Sequence, residues 1–240
     1  MNPKIVRIDL TPLHVPFKEA VRRVMGEGEG GLGMAIAAEE PWLGADFVIC
    51  SLQTADGTFG LSEVIVWLPE TGVAPSQIID VINQSLSKYI LGESPFNVEK
   101  IRRRMDNNLS LNETAKGLLD MACYDLMGQI TNLPACNFMG GRTVEEIPLA
   151  ALIPLANIKI MIGVSKSYYR RGFRTFRLKL GRNIHEDREI IQSIRNALGN
   201  SIRLRVDYNQ AYTPAEAVHA IKAIEPYGID FAEQPVRIDD

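Results

Sequence analysis

The second half of the chain repeats one unit: a short apolar strand, a capped amphipathic helix, then the next strand. "IPLAALIPL" (147–155) reads as a strand, and a helix is expected over 157–170. "FRTFRLKLG" is the next strand and leads into "NIHEDREIIQSIRNALG", with Asn183 as cap, Ile190, Ile191, Ile194 and Leu198 as the apolar stripe, and Gly199 as the stop. "SIRLRVDYN" and "TPAEAVHAIKAIEPYG" repeat the pattern. Here Thr213 is the cap, Pro214 lies in the first turn and Glu216 completes a capping box. "GIDFAEQP" is a fourth strand. The spacing is nearly constant, 28 residues from Lys179 to Asp207 and 26 from Asp207 to Glu233. Strand–helix alternation of this kind argues for a parallel sheet with helical crossovers, as an open doubly wound sheet or a (β/α) barrel.

The charges choose between the two. In "FRLKLG", Phe176, Leu178 and Leu180 take one face while Arg177 and Lys179 take the other. In "SIRLRVDYN", Ile202, Leu204 and Val206 oppose Arg205, Asp207 and Asn209. An open sheet has helices on both faces, where such charges would be costly. A barrel sends one face to the helices and the other to its axis, with chemistry at the C-terminal strand ends. A barrel is therefore expected.

The first half has a different grammar and reads as a small α+β unit. "KIVRIDLTPL" alternates like a strand, and "DFVICSLQTADGTFGLSEV" gives two strands around Asp56-Gly57, a hairpin turn. Helices follow. Ser76 is expected to cap "SQIIDVINQSLSKYILG", with Gly92 as its stop, and "SPFNVEKIRRRM" forms another. "NETAKGLLDMACYDLMGQITNLP" is the longest, with a stripe of Ala115, Leu118, Leu119, Ala122, Cys123, Leu126, Met127 and Ile130. The expected division is residues 1–125 for the α+β unit and 126–240 for the barrel part. The run "GEGEGGLG" (26–33) lacks the Gly-Lys-Ser/Thr of a phosphate loop, and its two glutamates would repel phosphate, so a mobile flap is expected there.

Composition excludes several partners. A formal charge of −3 gives no general attraction to nucleic acid or to an anionic membrane. No apolar run approaches the roughly 18 residues of a membrane span. Cys50, Cys123 and Cys136 are widely spaced and form no CxxC pair, and "MNPKIVRIDLTPL" is not a secretion signal, so a cytoplasmic protein is expected.

In a barrel, Lys179, Asp207 and Glu233 converge at one mouth. Two carboxylates on adjacent strands repel, and the usual resolutions are a shared proton or a divalent cation. Hard oxygen donors without His or Cys favour Mg2+. A lysine with cationic neighbours is poised to act as a general base, and base plus metal suits proton removal beside a carboxylate. A plainer reading stands beside this one: Asp207 and Glu233 pair with Arg177 and Lys179 and merely order the barrel.

The ordered set "RLKLG", "RVDYN" and "FAEQP", together with "AKGLLDMACYDLMGQITNLPACNFMGG" (115–141), resembles the mandelate racemase and muconate lactonizing enzyme branch of the enolase superfamily. The resemblance implies an α+β capping domain before a modified (β/α) barrel of TIM type. It implies Lys179 as base, Asp207 and Glu233 as magnesium ligands, and Asn209 as a polar group near metal and substrate. Arg177 stands where a first lysine is common and is expected to hold the substrate carboxylate or tune Lys179. The implied substrate is a small carboxylate, and racemization, dehydration and cycloisomerization stay open. By the same resemblance, "GEGEGGLG" and Glu63–Trp67 fall where capping loops select the substrate. Only the first four βα units are present, without a third metal carboxylate or an acid–base partner, so the chain is expected to be truncated. Exposed strand edges make a homo-oligomer expected. The alternative is a truncated, non-catalytic relative with a binding or assembly role.

Overall fold

The computed structural model describes residues 3–19 and 43–240; the glycine run at 26–33 lies outside them. The described chain falls into two compact units, the first holding Gly44–Glu145 with the residues up to Phe17, the second holding Glu146–Asp240. The division drawn from sequence at 125/126 falls inside a helix of the first unit. Among the described residues no helix is long and apolar enough to cross a membrane.

In the first unit, β1 (Ile5–Pro16), β2 (Gly44–Thr54) and β3 (Phe59–Val66) form an antiparallel sheet in that order. The β2–β3 hairpin turns at the expected Asp56-Gly57. The Asp56 carboxylate accepts the Thr54 hydroxyl at 2.6 Å and the Thr58 N–H at 3.1 Å, while Gly57 takes φ +87°. Val48, Cys50 and Leu52 alternate into the core, as a half-buried strand requires.

Three helical segments complete that core. α1 (Pro75–Val81) starts at Ala74 rather than Ser76. Proline fits the first turn, and the Gln77 side chain accepts the Ala74 N–H at 2.7 Å, so Ser76 is left inside the helix. The segment continues through a π-helical turn, Ile82–Leu86, to Ser87–Ile90, and the chain then reverses at Gly92, φ +78°. α2 is Val98–Asn108 and α3 is Glu113–Thr131. Seven residues of the expected α3 stripe are buried and Ile130 is half-buried. α3 lies so close to β3 that a Cβ on Gly60 would sit 2.3 Å from the Leu126 nitrogen.

In the second unit, β4 (Ala150–Ile153), β5 (Thr175–Lys179), β6 (Arg203–Asp207) and β7 (Ile229–Glu233) form a parallel sheet in chain order. α4 (Ile158–Arg170), α5 (Ile184–Leu198) and α6 (Pro214–Ile224) are the crossovers. Of the four βα units expected, the last is represented by its strand. β4 is shorter than the nine residues read from sequence, with Ile147 and Leu149 exposed. Both caps act as expected: Asn183 accepts from Glu186 N–H at 2.9 Å, and Thr213 and Glu216 form the reciprocal box.

The sheet is one-sided. Phe176, Leu178, Leu204 and Val206 share one core cluster with Met161 of α4, Ile190, Ile191 and Ile194 of α5, and Ala217, Ala220 and Ile224 of α6. The opposite face carries Arg177, Lys179, Arg205 and Asp207, the arrangement of a partial barrel rather than of a doubly wound sheet. The β6–β7 pairing contains one irregularity, Leu204 opposite Ile229 but Val206 opposite Ala232, after which Asp207 stands opposite Glu233.

Candidate active site

The C-terminal ends of β5, β6 and β7 bring Arg177, Lys179, Asp207, Asn209 and Glu233 together, every barrel candidate read from the sequence. Register does most of this. Lys179 is the parallel partner of Asp207, and Asp207 of Glu233. Backbone bonds carry the ladder past the strands: Leu180 N–H to the Asp207 carbonyl at 3.0 Å, Tyr208 N–H to the Glu233 carbonyl at 3.1 Å and Gln210 N–H to the Gln234 carbonyl at 2.7 Å. Asn209, Gln210 and Gln234 all take positive φ, so the chain reverses tightly at the mouth.

Asp207 is the hub. Its Oδ2 accepts Lys179 Nζ at 2.7 Å and also Arg177 Nη2, and its Oδ1 accepts the Asn209 N–H at 3.0 Å. Arg177 Nη2 donates in addition to Glu233 Oε1 at 2.8 Å, and Lys179 Nζ donates to Asn209 Oδ1. Side-chain exposure is 0% for Asp207, 12% for Lys179, 34% for Arg177 and 37% for Glu233. A carboxylate with no access to water is costly unless paired and hydrogen-bonded, and two charged groups and one backbone N–H meet this one. The ion pairs of the plainer sequence reading therefore exist, and they lie at the strand ends where chemistry is expected.

Arg205 is the register partner of Arg177, yet its guanidinium serves another purpose. It lies over the Phe231 ring, 5.1 Å from the centroid, and reaches Asp230 only at 3.9 Å. It was no part of the site read from sequence.

One supporting group went unread in the sequence. Asp187, in the first turn of α5, is buried; it accepts the Gly181 N–H at 3.0 Å and the Tyr212 hydroxyl at 2.6 Å. It thus joins the loop after Lys179 to the loop after Asn209. Burial pushes its carboxyl above the ordinary range, against the lowering effect of those two donors, and burial likewise raises the Tyr212 phenol. The signal was available: residues 187, 190, 191 and 194 share one helix face, so an acid stood on the apolar stripe.

A divalent cation suits the donors that the mouth provides. Asp207 and Glu233 are hard oxygen donors on paired strands, and a positive group, the Arg177 guanidinium, already spans them. Among the described residues no three His, Cys, Asp or Glu side chains form a metal cluster, so this pair is what the described chain offers.

Residues 34–140 match the family model described as mandelate racemase / muconate lactonizing enzyme, N-terminal domain, and residues 163–240 match the one described as enolase C-terminal domain-like. The chain belongs to the mandelate racemase / muconate lactonizing enzyme branch of the enolase superfamily. A hydrophobic dipeptide epimerase of Enterococcus faecalis is 37% identical over 82% of this chain and 55% of its own length. An N-succinyl-L-Arg/Lys racemase of Bacillus cereus is 33% identical over 80% of this chain and 53% of its own. The crystal structure of the dipeptide epimerase from Enterococcus faecalis V583, complexed with Mg and the dipeptide L-Leu-L-Tyr, superposes with a TM-score of 0.84 at 30% identity. It covers 100% of this chain and 63% of that one. More distant relatives include a dehydratase and a cycloisomerase. The chain thus spans little more than half the length of the curated relatives it matches.

Proposed function

We propose that this chain carries part of the catalytic constellation of a Mg2+-dependent enzyme that removes the α-proton of a carboxylate substrate, with epimerization as its reaction. The observation that carries this reading is the convergence of Lys179, Asp207 and Glu233 on three adjacent strand ends, with Lys179 paired to Asp207 and Arg177 linking Asp207 to Glu233. Bound Mg2+ would supply positive charge beside the substrate carboxylate and so acidify the neighbouring C–H. Asp207 and Glu233 would hold it. Lys179 takes the proton, its Nζ kept in place by Asp207 and Asn209, and Arg177 orients the substrate carboxylate.

The relatives named above support a substrate class. Dipeptides and N-succinyl amino acids share a C–H flanked by an acylated nitrogen and a carbonyl carbon, and we assign that class to this chain. We assign the first unit, which holds Glu63–Trp67 on and just beyond β3, as the capping domain of the family. Three free thiols agree with a cytoplasmic setting, and self-association is expected.

The test is α-proton exchange in heavy water, followed by NMR with dipeptides and N-acyl amino acids, on the protein carrying this sequence. Wild-type protein with Mg2+ is expected to exchange the α-proton, and Lys179→Ala to lose at least about a thousandfold of that rate. Undiminished exchange in Lys179→Ala would remove the base assignment. A second reading, a non-catalytic relative with a binding or assembly role, is favoured by the ion pairs that Arg177 makes with both carboxylates and Lys179 with Asp207. It predicts neither exchange nor Mg2+ binding.

A further inference from the structure

The Asp207–Glu233 pair is spanned by one nitrogen, Arg177 Nη2, which donates to an oxygen of each. A guanidinium that occupies one oxygen of each member of a pair proposed to hold Mg2+ competes, by charge and by space, with a cation whose ligands lie at about 2.1 Å. Arg177 is also poorly satisfied elsewhere: its Nε is buried and has no hydrogen-bond partner among the described residues. Its side chain is one-third exposed, so the fork has room to leave, whereas Asp207 is fixed by its strand, Lys179 and the Asn209 N–H.

We propose that Arg177 is the internal counter-ion of the metal carboxylates and alternates with the divalent cation on them. This rests on the reading of Asp207 and Glu233 as magnesium ligands and adds a regulation of that site. Without metal, the guanidinium neutralizes the pair and keeps the buried Asp207 paired. Metal binding must first open that bridge, so apparent affinity is lowered by the fraction of molecules in which it is open. Once displaced, Arg177 has several free donors at the mouth, so metal loading creates a site for an anion beside the metal.

The test is Mg2+ titration by calorimetry, with no substrate, on wild type, Arg177→Gln, Arg177→Met and Arg205→Gln. Arg177→Met keeps the aliphatic stem and serves if Arg177→Gln fails to fold. Arg205 is the control. It carries the same charge at the paired register position but touches neither carboxylate at hydrogen-bond distance. The Arg177 variants are expected to bind Mg2+ about tenfold more tightly than wild type, and Arg205→Gln within about twofold of it. Melting gives the reciprocal readout. In chelator the Arg177 variants melt below wild type, and saturating Mg2+ closes or reverses that gap. Equal affinities in all four proteins, or equal tightening in Arg205→Gln, would overturn the alternation while leaving the metal site standing. Absence of Mg2+ binding in all four would overturn the metal assignment and this inference with it.

Discussion

Lys179 Nζ and Asp207 Oδ2 lie 2.7 Å apart on adjacent parallel strands, and Asp207 has no exposure to water. A lysine so placed is anchored before any substrate arrives. Replacing it by Met is expected to cost about 1–3 kcal/mol of stability, because Asp207 keeps Arg177 and loses one charged donor. Denaturant unfolding of wild type and Lys179→Met reads the difference, and no change would mean that the anchor is not formed in solution.

The two carboxylates are not equivalent. Asp207 is fully buried with three donors, whereas Glu233 is more than one-third exposed with one. Asp207→Asn is expected to destabilize the fold by about 3 kcal/mol, and Glu233→Gln by less than about 1 kcal/mol. Urea midpoints measured in chelator separate the two, and equal losses would contradict the difference in burial.

Gly181 follows the strand that carries Lys179 and takes φ +112°, where a Cβ would meet the Ala211 Cβ at 2.5 Å and the Tyr208 carbonyl oxygen at 3.2 Å. Gly181→Ala is therefore expected to cost about 2–4 kcal/mol from backbone strain and overpacking together. A thermal melt checks this, and a neutral substitution would show that the loop relaxes freely.

Asp187 gives the fold a pH dependence of definite sign. Its carboxyl is raised by burial above the ordinary value of 3.8, so the folded state holds the proton more tightly than the unfolded chain. Its contribution to stability is full below 3.8 and is lost as pH rises through the folded value. Subtracting the stability–pH curve of Asp187→Asn from that of wild type is expected to leave a difference that falls with rising pH over this window. A difference that rises instead would mean that the Gly181 and Tyr212 donors outweigh burial.

Cys50 and Cys123 are fully buried, and burial pushes both thiols up to about 12, while Cys136 is half-exposed. A thiol-labelling reagent is expected to modify one of the three cysteines in native protein and all three after unfolding. Rapid native labelling at two or more sites would contradict the packing of the first unit.

The fold was legible wherever one local rule sufficed. Period-two alternation marked β1, β5 and β6, the Asp56-Gly57 turn marked β2 and β3, the 3.6-residue stripe marked α3, and Asn183 and Thr213 marked helix starts. Ser76 misled because Pro75 and Gln77 cap the same helix without it. Lys179, Asp207, Asn209 and Glu233 could be gathered because parallel strands at constant spacing place equivalent positions side by side. Pairing of Arg177 with these carboxylates was readable too, but not that one nitrogen meets both, since that depends on how far a guanidinium reaches across two strands. Asp187 escaped because an acid in a first helical turn has an ordinary explanation at its N-terminus, and burial becomes evident only once Tyr212 is folded onto it.

The irregular pairing of β6 with β7 has a genetic consequence. Between Leu204 and Val206 one strand advances two residues, while its neighbour advances three, from Ile229 to Ala232. In uniform register Asp207 would face Ala232, and the Glu233 carboxylate would turn to the helix side of the sheet. The spare residue sets the phase in which that carboxylate arrives. An in-frame loss of a single codon between 229 and 232 would therefore dismantle the mouth while every residue of the site remained encoded.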